Sequence, residues 1–164
     1  YHDNLTDLPN RKLFFDRFGI ALALAQRNQN KLAIVMLDLD NFKRVNDSFG
    51  HAFGDLVLKA SAERLNAVLR KGDTVARFGG DEFVLILSDL AGAEDAMNVA
   101  NKIVKTRLSR NRSNAIWVTY LDAFPGEPAI SLTISVSSPK LTKRITRETS
   151  AVAVAIWPIP AAFI

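Results

Sequence analysis

The chain has 164 residues, 48% hydrophobic and 23% charged, which is enough for one domain with a sizeable core and argues against wholesale disorder. It contains no cysteine, which excludes a disulfide framework, a thiolate metal site and a cysteine nucleophile. The formal charge of +4 is uneven, because residues 1–100 carry 12 Lys/Arg against 14 Asp/Glu whereas residues 101–164 carry 9 against 3. The basic residues, Lys102, Lys105, Arg107, Arg110 and Arg112, then Lys140, Lys143, Arg144 and Arg147, fall in separate clusters with no zinc ligands and no recognition helix. They predict a solvated face or a patch for phosphates or a partner protein, and no nucleic-acid partner is expected.

The chain opens on the polar stretch YHDNLTDLPN, which has no signal-peptide pattern and reads as a piece of a longer protein. A Pro-Asn turn then leads into an apolar-periodic helix from Arg11 to Gln26, with Leu13, Phe14, Phe18, Leu22 and Ala25 on one face. Leu32 to Leu39 form a nearly unbroken apolar run, the pattern of a strand covered on both faces, and it ends in acids. NDSFGHAFGD has the composition of a loop and a helix start, with His51 expected to be structural. The amphipathic helix LVLKASAERLNAVLRKGD follows, with Leu58, Ala62, Leu65 and Leu69 in line and Gly72 expected to close it.

TVARF and EFVLILSDL are two strands joined by a glycine-dependent turn. AEDAMNVANKIVKTRL is a second amphipathic helix in which Ala96, Ala100, Ile103 and Arg107 trace one line and Met97 and Val104 flank it. With AISLTISVSS at 129–138 as the last strand, the pattern is an α+β fold. Its core is a ferredoxin-like β-α-β-β-α-β unit with helices packed on one face and an additional N-terminal helix. SNAIWVTYLDAFPGEPA reads as a strand and a turn, KLTKRITRETS is polar and basic, and the apolar run at 151–164 is too short, and too rich in proline, to span a bilayer. The domain reading is one unit over 1–164, with a core at 1–138 and a divergent tail at 139–164.

Chemistry gathers at the strand ends. Alternation puts Asp38 and Asp40 on the same side of the first strand as far as that strand persists. A carboxylate at the edge of a buried strand needs compensation, and a hard divalent cation supplies it while keeping phosphates and water as its other ligands. Asp81 and Glu82 form a second acid pair in the hairpin, and the three strands must lie together for Asp38 and Asp81 to converge. Gly79 and Gly80 then leave room for a charged ligand to lie against backbone. Lys43 is placed to approach anionic oxygens, while Asn46 and Asp55 match the mixed donor and acceptor edge of a purine. A solvated turn, a surface lysine and a loop asparagine are the plainer readings of the same residues.

Three motifs, LTDLPNR at 5–11, DLDNFKRVNDSFGHAFGD at 38–55 and ARFGGDEFVLIL at 76–87, resemble the GGDEF domain, the diguanylate cyclase family, over residues 3 to about 108. The resemblance implies a fold like that of nucleotide cyclases and polymerase palms. It implies that Asp38, Asp81 and the backbone carbonyl of Leu39 bind Mg²⁺, with Mn²⁺ as a substitute, and that Glu82 assists metal binding or deprotonation of the ribose 3′-hydroxyl. Gly79 and Gly80 would pass beneath the triphosphate of GTP, Lys43 would approach its phosphates, and Asn46 and Asp55 would read guanine. Two domains, each holding one GTP, would form a homodimer and release cyclic di-GMP and pyrophosphate. Arg70 and Asp73 fit the family's RxxD product-inhibition site, with five residues between Asp73 and Gly79. An upstream sensory or regulatory domain is implied, as is a cytoplasmic location for this domain within a bacterial signalling protein, with membrane association of that protein left open.

The C-terminal end departs from the family: LTISVSS is a faint echo of its strand, and no counterpart of the following phosphate-holding helix is visible in the sequence. The alternative is therefore a catalytically impaired GGDEF-like module that binds GTP or cyclic di-GMP and passes its state to a partner.

Overall fold

The computed structural model describes residues 1–39, 41–105, 114–121, 130–136 and 142–146. The elements run α1 (Arg11–Asn28), β1 (Lys31–Asp38), α2 (Phe42–Phe49), α3 (His51–Val68), β2 (Thr74–Gly79), β3 (Glu82–Leu90), α4 (Ala93–Lys105), β4 (Asn114–Leu121), β5 (Ile130–Val136) and β6 (Thr142–Thr146). The six strands form one antiparallel sheet in the order β2-β3-β1-β4-β5-β6. The expected α+β fold is present, and β1-α-β2-β3-α4-β4 is its ferredoxin-like unit.

Alternation along the strands decides the two faces of the sheet. Ala33, Val35 and Leu37 of β1 join Val75 of β2 and Phe83, Leu85 and Leu87 of β3 beneath α3 and α4. Those helices contribute Leu58, Ala62 and Leu65, then Ala96, Val99, Ala100 and Ile103. Each large side chain buried this way contributes roughly 1.5–3 kcal/mol. The intervening residues Leu32, Ala76, Val84 and Ile86 face the other way and are covered by Phe14 and Ala25 of α1, with Phe18, Leu22, Met36 and Phe78 around them. The helices therefore do not all lie on one face: α1 makes a third layer, because β1 and β3 are apolar on both faces. The face foreseen for α1 is the buried one at Phe14, Phe18, Leu22 and Ala25.

Four further expectations are corrected. The strand that closes the ferredoxin-like unit beside β1 is β4, not the 129–138 segment, which becomes β5 one position further out; the basic stretch after it supplies β6. NDSFGHAFGD is not a loop: two helices meet at Gly50, whose φ of 82° makes the break in one residue. Gly72 does not cap α3, which ends at Val68 with Leu69 extended; Gly72 lies in the following turn, where the Asp73 N–H donates to the Arg70 carbonyl at 3.0 Å. Strand β1 stops at Asp38, with Leu39 already past its end, so the pleat does not carry the alternation beyond Asp38.

Asp40, the side chain of Val104, Arg107, Arg110, Arg112, Lys140, Arg147 and the 151–164 run lie outside the described residues. Among the described residues no helix is long and apolar enough to cross a membrane.

Candidate functional site

The site is built where β1, β2 and β3 end together. The register pairs Asp38 of β1 with Glu82 of β3, and Glu82 with Gly79 of β2. Directly paired residues stand about 5 Å apart at Cβ, so two carboxylates are held side by side on one face of the sheet. Asp81 occupies the turn just beyond, and its carbonyl accepts the Leu39 N–H at 3.4 Å, which ties the turn to the end of β1. Asp81 is thus tied to Leu39, the residue that follows Asp38, while the direct cross-strand partner of Asp38 is Glu82.

The turn between β2 and β3 consists of Gly80 and Asp81 alone. Gly79 and Gly80 have φ of 148° and 51°, conformations that favour glycine, and a Cβ at either would meet nothing within 4 Å. They border open space.

A side chain absent from the sequence reading holds this turn. Arg77 donates from Nε and Nη2 to the Gly80 carbonyl at 3.1 and 2.8 Å, and from Nη1 to both oxygens of Asp3 at 2.9 and 3.0 Å. Its backbone N–H also donates to the Pro9 carbonyl at 3.0 Å. Asp3 in turn accepts from the Thr6 N–H at 2.9 Å and hydroxyl at 2.7 Å. Burial pushes the Asp3 carboxyl upward, but the bonds from Thr6 and Arg77 outweigh it and hold the group below its ordinary value of 3.8. The N-terminal LTDLPNR stretch is thereby bolted to the glycine turn. The signal available in sequence was an arginine inside a strand, two residues before the glycines.

Around the corner from the acids, α2 begins after Asn41, and the Phe42 N–H donates to the Leu39 carbonyl at 3.1 Å. That oxygen has two lone pairs, so one remains for a ligand. Lys43 is exposed in the first turn of α2. Asn46 is half-buried in α2, and Asp55 is exposed on α3. Asp55 stands one turn inside α3 rather than in its first turn, because that helix starts earlier than its sequence suggested. Among the described residues no three His, Cys, Asp or Glu side chains form a metal cluster. Mg²⁺ is usually bound through only one or two carboxylates beside substrate phosphates. Asp38, Asp81 and the Leu39 carbonyl therefore fit it chemically.

Arg70 lies apart from these residues, on a cleft of about 540 Å³ shared with Asp95, Asn98, Asn101, Lys102 and Lys105 of α4. Asp73 does not line that cleft. Its carboxylate accepts the Arg70 N–H at 3.0 Å and the Ser88 N–H at 3.2 Å, so it closes its own turn and joins it to β3.

The chain is similar to known proteins in sequence and in fold. The chain is 51% identical over 104 residues to the bifunctional diguanylate cyclase/cyclic di-GMP phosphodiesterase MucR of Pseudomonas aeruginosa, a match of 63% of this chain and 15% of MucR. Curated relatives are thus matched over a small part of their length. The solved GGDEF domain of TpbB from Pseudomonas aeruginosa superposes with a TM-score of 0.68 at 40% identity, covering 72% of this chain and 74% of that one. The GGDEF domain of DgcB from Caulobacter crescentus, solved in complex with c-di-GMP, also gives 0.68, at 29% identity over 77% of this chain and 79% of that one. The family model described as "Diguanylate cyclase, GGDEF domain" matches residues 1–119, and the chain belongs to that family.

Proposed function

We propose that this domain is a diguanylate cyclase that condenses two GTP molecules into cyclic di-GMP across a homodimer. The observation that carries the reading is the pairing of Asp38 with Glu82, beside Asp81 and an open glycine turn. The backbone of Gly79 and Gly80 lets a triphosphate approach without meeting side chains, and exposed Lys43 adds a positive charge for its oxygens. Asn46 and Asp55 orient the guanine. Asp38, Asp81 and the Leu39 carbonyl would hold Mg²⁺, which would supply charge stabilisation at the phosphoryl oxygens and a lowered pKa at the attacking hydroxyl.

Glu82 accepts the proton of the ribose 3′-hydroxyl. The new bond joins that 3′-oxygen to the α-phosphorus of the other domain's GTP, and the bond to pyrophosphate breaks. The same step repeated in the opposite direction closes the ring. A lone domain binds substrate without completing the reaction, and an upstream domain would bring the two copies together.

Incubating the purified chain at high concentration with GTP and Mg²⁺ is expected to give cyclic di-GMP and pyrophosphate, and Asp81→Ala is expected to give on the order of a hundredfold less of both. Absence of product from the unaltered chain overturns the reading.

The cleft at Arg70 favours a second function in the same domain or in a catalytically impaired one. Its guanidinium and the ammonium groups of Lys102 and Lys105 suit the phosphates of cyclic di-GMP. Calorimetric titration with cyclic di-GMP is expected to show binding that Arg70→Ala weakens.

A further inference from the structure

We propose that Gly54 sets base specificity: its missing side chain is what lets the Asn46 amide lie against α3 next to Asp55, so that the two groups face a purine together. The proposal rests on the reading that Asn46 and Asp55 contact the guanine of GTP.

Gly54 is the fourth residue of an 18-residue helix and is buried. Glycine inside a helix is unfavourable relative to alanine, so its presence needs a cause. Backbone geometry is not the cause, because Gly54 is absent from the positive-φ residues among which Gly50, Gly79 and Gly80 stand. Space is. A Cβ on Gly54 would overlap Oδ1 of Asn46, lie 3.1 Å from its Cγ and come within 3.2 Å of Cζ of Phe42. No other described glycine has any such neighbour: at Gly19, Gly50, Gly72, Gly79, Gly80 and Gly92 an added Cβ meets nothing within 4 Å.

The corner between α2 and α3 produces this contact. The Gly50 N–H donates to the Asn46 carbonyl at 2.8 Å, and the Gly54 N–H donates to the Gly50 carbonyl at 3.2 Å. Asn46, Gly50 and Gly54 thus follow one another at four-residue steps through the break, and the Asn46 side chain comes to rest on the residue that precedes Asp55. A methyl at position 54 must displace it. Since the atom in the way is the end of a side chain and not backbone, the chain accommodates the methyl by turning the amide. Few other rotamers are open to a residue inside a helix. The displaced amide no longer presents its donor and acceptor beside Asp55, and base recognition is lost while the triphosphate contacts persist.

The test is equilibrium binding of GTP and of ATP to the whole chain and to Gly54→Ala, Asn46→Ala and the double variant, with thermal melting of each. The unaltered chain is expected to prefer GTP. Gly54→Ala is expected to lose roughly tenfold or more of that preference, with little loss of ATP binding and an undiminished melting temperature. In the Asn46→Ala background, Gly54→Ala is expected to change the preference no further, because the group it displaces is already gone.

A Gly54→Ala variant that keeps the full GTP preference overturns the proposal, as does an additive loss in the double variant. If Gly54→Ala fails to fold, a folded double variant supports the proposal by placing the conflict at Asn46. An unfolded double variant places it at Phe42 or the backbone and overturns it. If the unaltered chain does not discriminate GTP from ATP, or Asn46→Ala retains the preference, then the reading of the base site fails and takes this inference with it.

Discussion

Strand β2 is entered by one glycine-containing turn and left by another, and the two use their acids in opposite ways. In the entering turn, Arg70 to Asp73, the carboxylate of Asp73 accepts two backbone N–H groups and is itself the brace. In the leaving turn, Gly80 and Asp81, the brace comes from outside: Arg77 grips the Gly80 carbonyl and is in turn gripped by Asp3. Among the described residues neither the Asp81 nor the Glu82 carboxylate accepts a hydrogen bond. An acid that closes a turn is committed to the fold. When an arginine from the neighbouring strand position closes the turn instead, the acids beside it stay available for a ligand.

This contrast predicts crossed outcomes. Asp81→Ala is expected to lower GTP turnover on the order of a hundredfold or more while leaving the urea midpoint almost unmoved. A large fall in stability instead would mean that Asp81 braces its turn after all. Arg77→Ala has the largest expected effect on stability, about 3 kcal/mol, because its side chain is 11% exposed and Asp3 is 22% exposed. Removing the cation strands a largely buried carboxylate and frees the Gly80 carbonyl. Arg77→Lys is expected to recover little of it, since an ammonium cannot span both partners with the planar fork. Denaturant titration measures both.

Asp73→Ala is expected to cost about 1–2 kcal/mol through its two lost bonds and to leave turnover within a few-fold of the unaltered chain.

The smallest effect is in the pH dependence. The Asp3 carboxyl is held below its ordinary 3.8 in the fold, so between the two values the unfolded state binds more protons than the folded one. Its contribution is therefore fully present above about pH 4 and fades as pH falls through the lowered folded value. Stability of the unaltered chain is expected to drop more steeply below pH 4 than that of Asp3→Asn. Parallel curves would show that the Arg77 contact does not depend on the charge of Asp3.

Much of the core was legible in sequence. The period of Leu58, Ala62 and Leu65 on α3, and of Ala96, Ala100 and Ile103 on α4, marked the residues that are buried there. Val99 was missed because it lies beside that line rather than on it. The helical state of 42–49 was also missed. Asn46, Asp47, Ser48 and Gly50 carry the composition of a loop, and local composition does not reveal that one glycine with positive φ is enough to turn a helix onto the next. At the site, the motif residues were visible as types, but Arg77 was not singled out because an arginine within a strand looks like an exposed strand position.

The sequence by itself determined the family, the amphipathic helices, the apolar hairpin and the need for glycine at Gly79 and Gly80, since each of these is written in short-range periodicity or in contiguous motifs. Tertiary structure alone decided that α1 covers the second face of the sheet, that β4 rather than β5 lies against β1, and that Asp38 stands opposite Glu82. It also decided that Arg77 reaches Asp3, 74 residues away in sequence, and that Asn46 rests on Gly54. The physical reason is that strand register and helix docking are set by which buried surfaces fit together, and pairs so distant along the chain leave no local pattern from which their contact can be read.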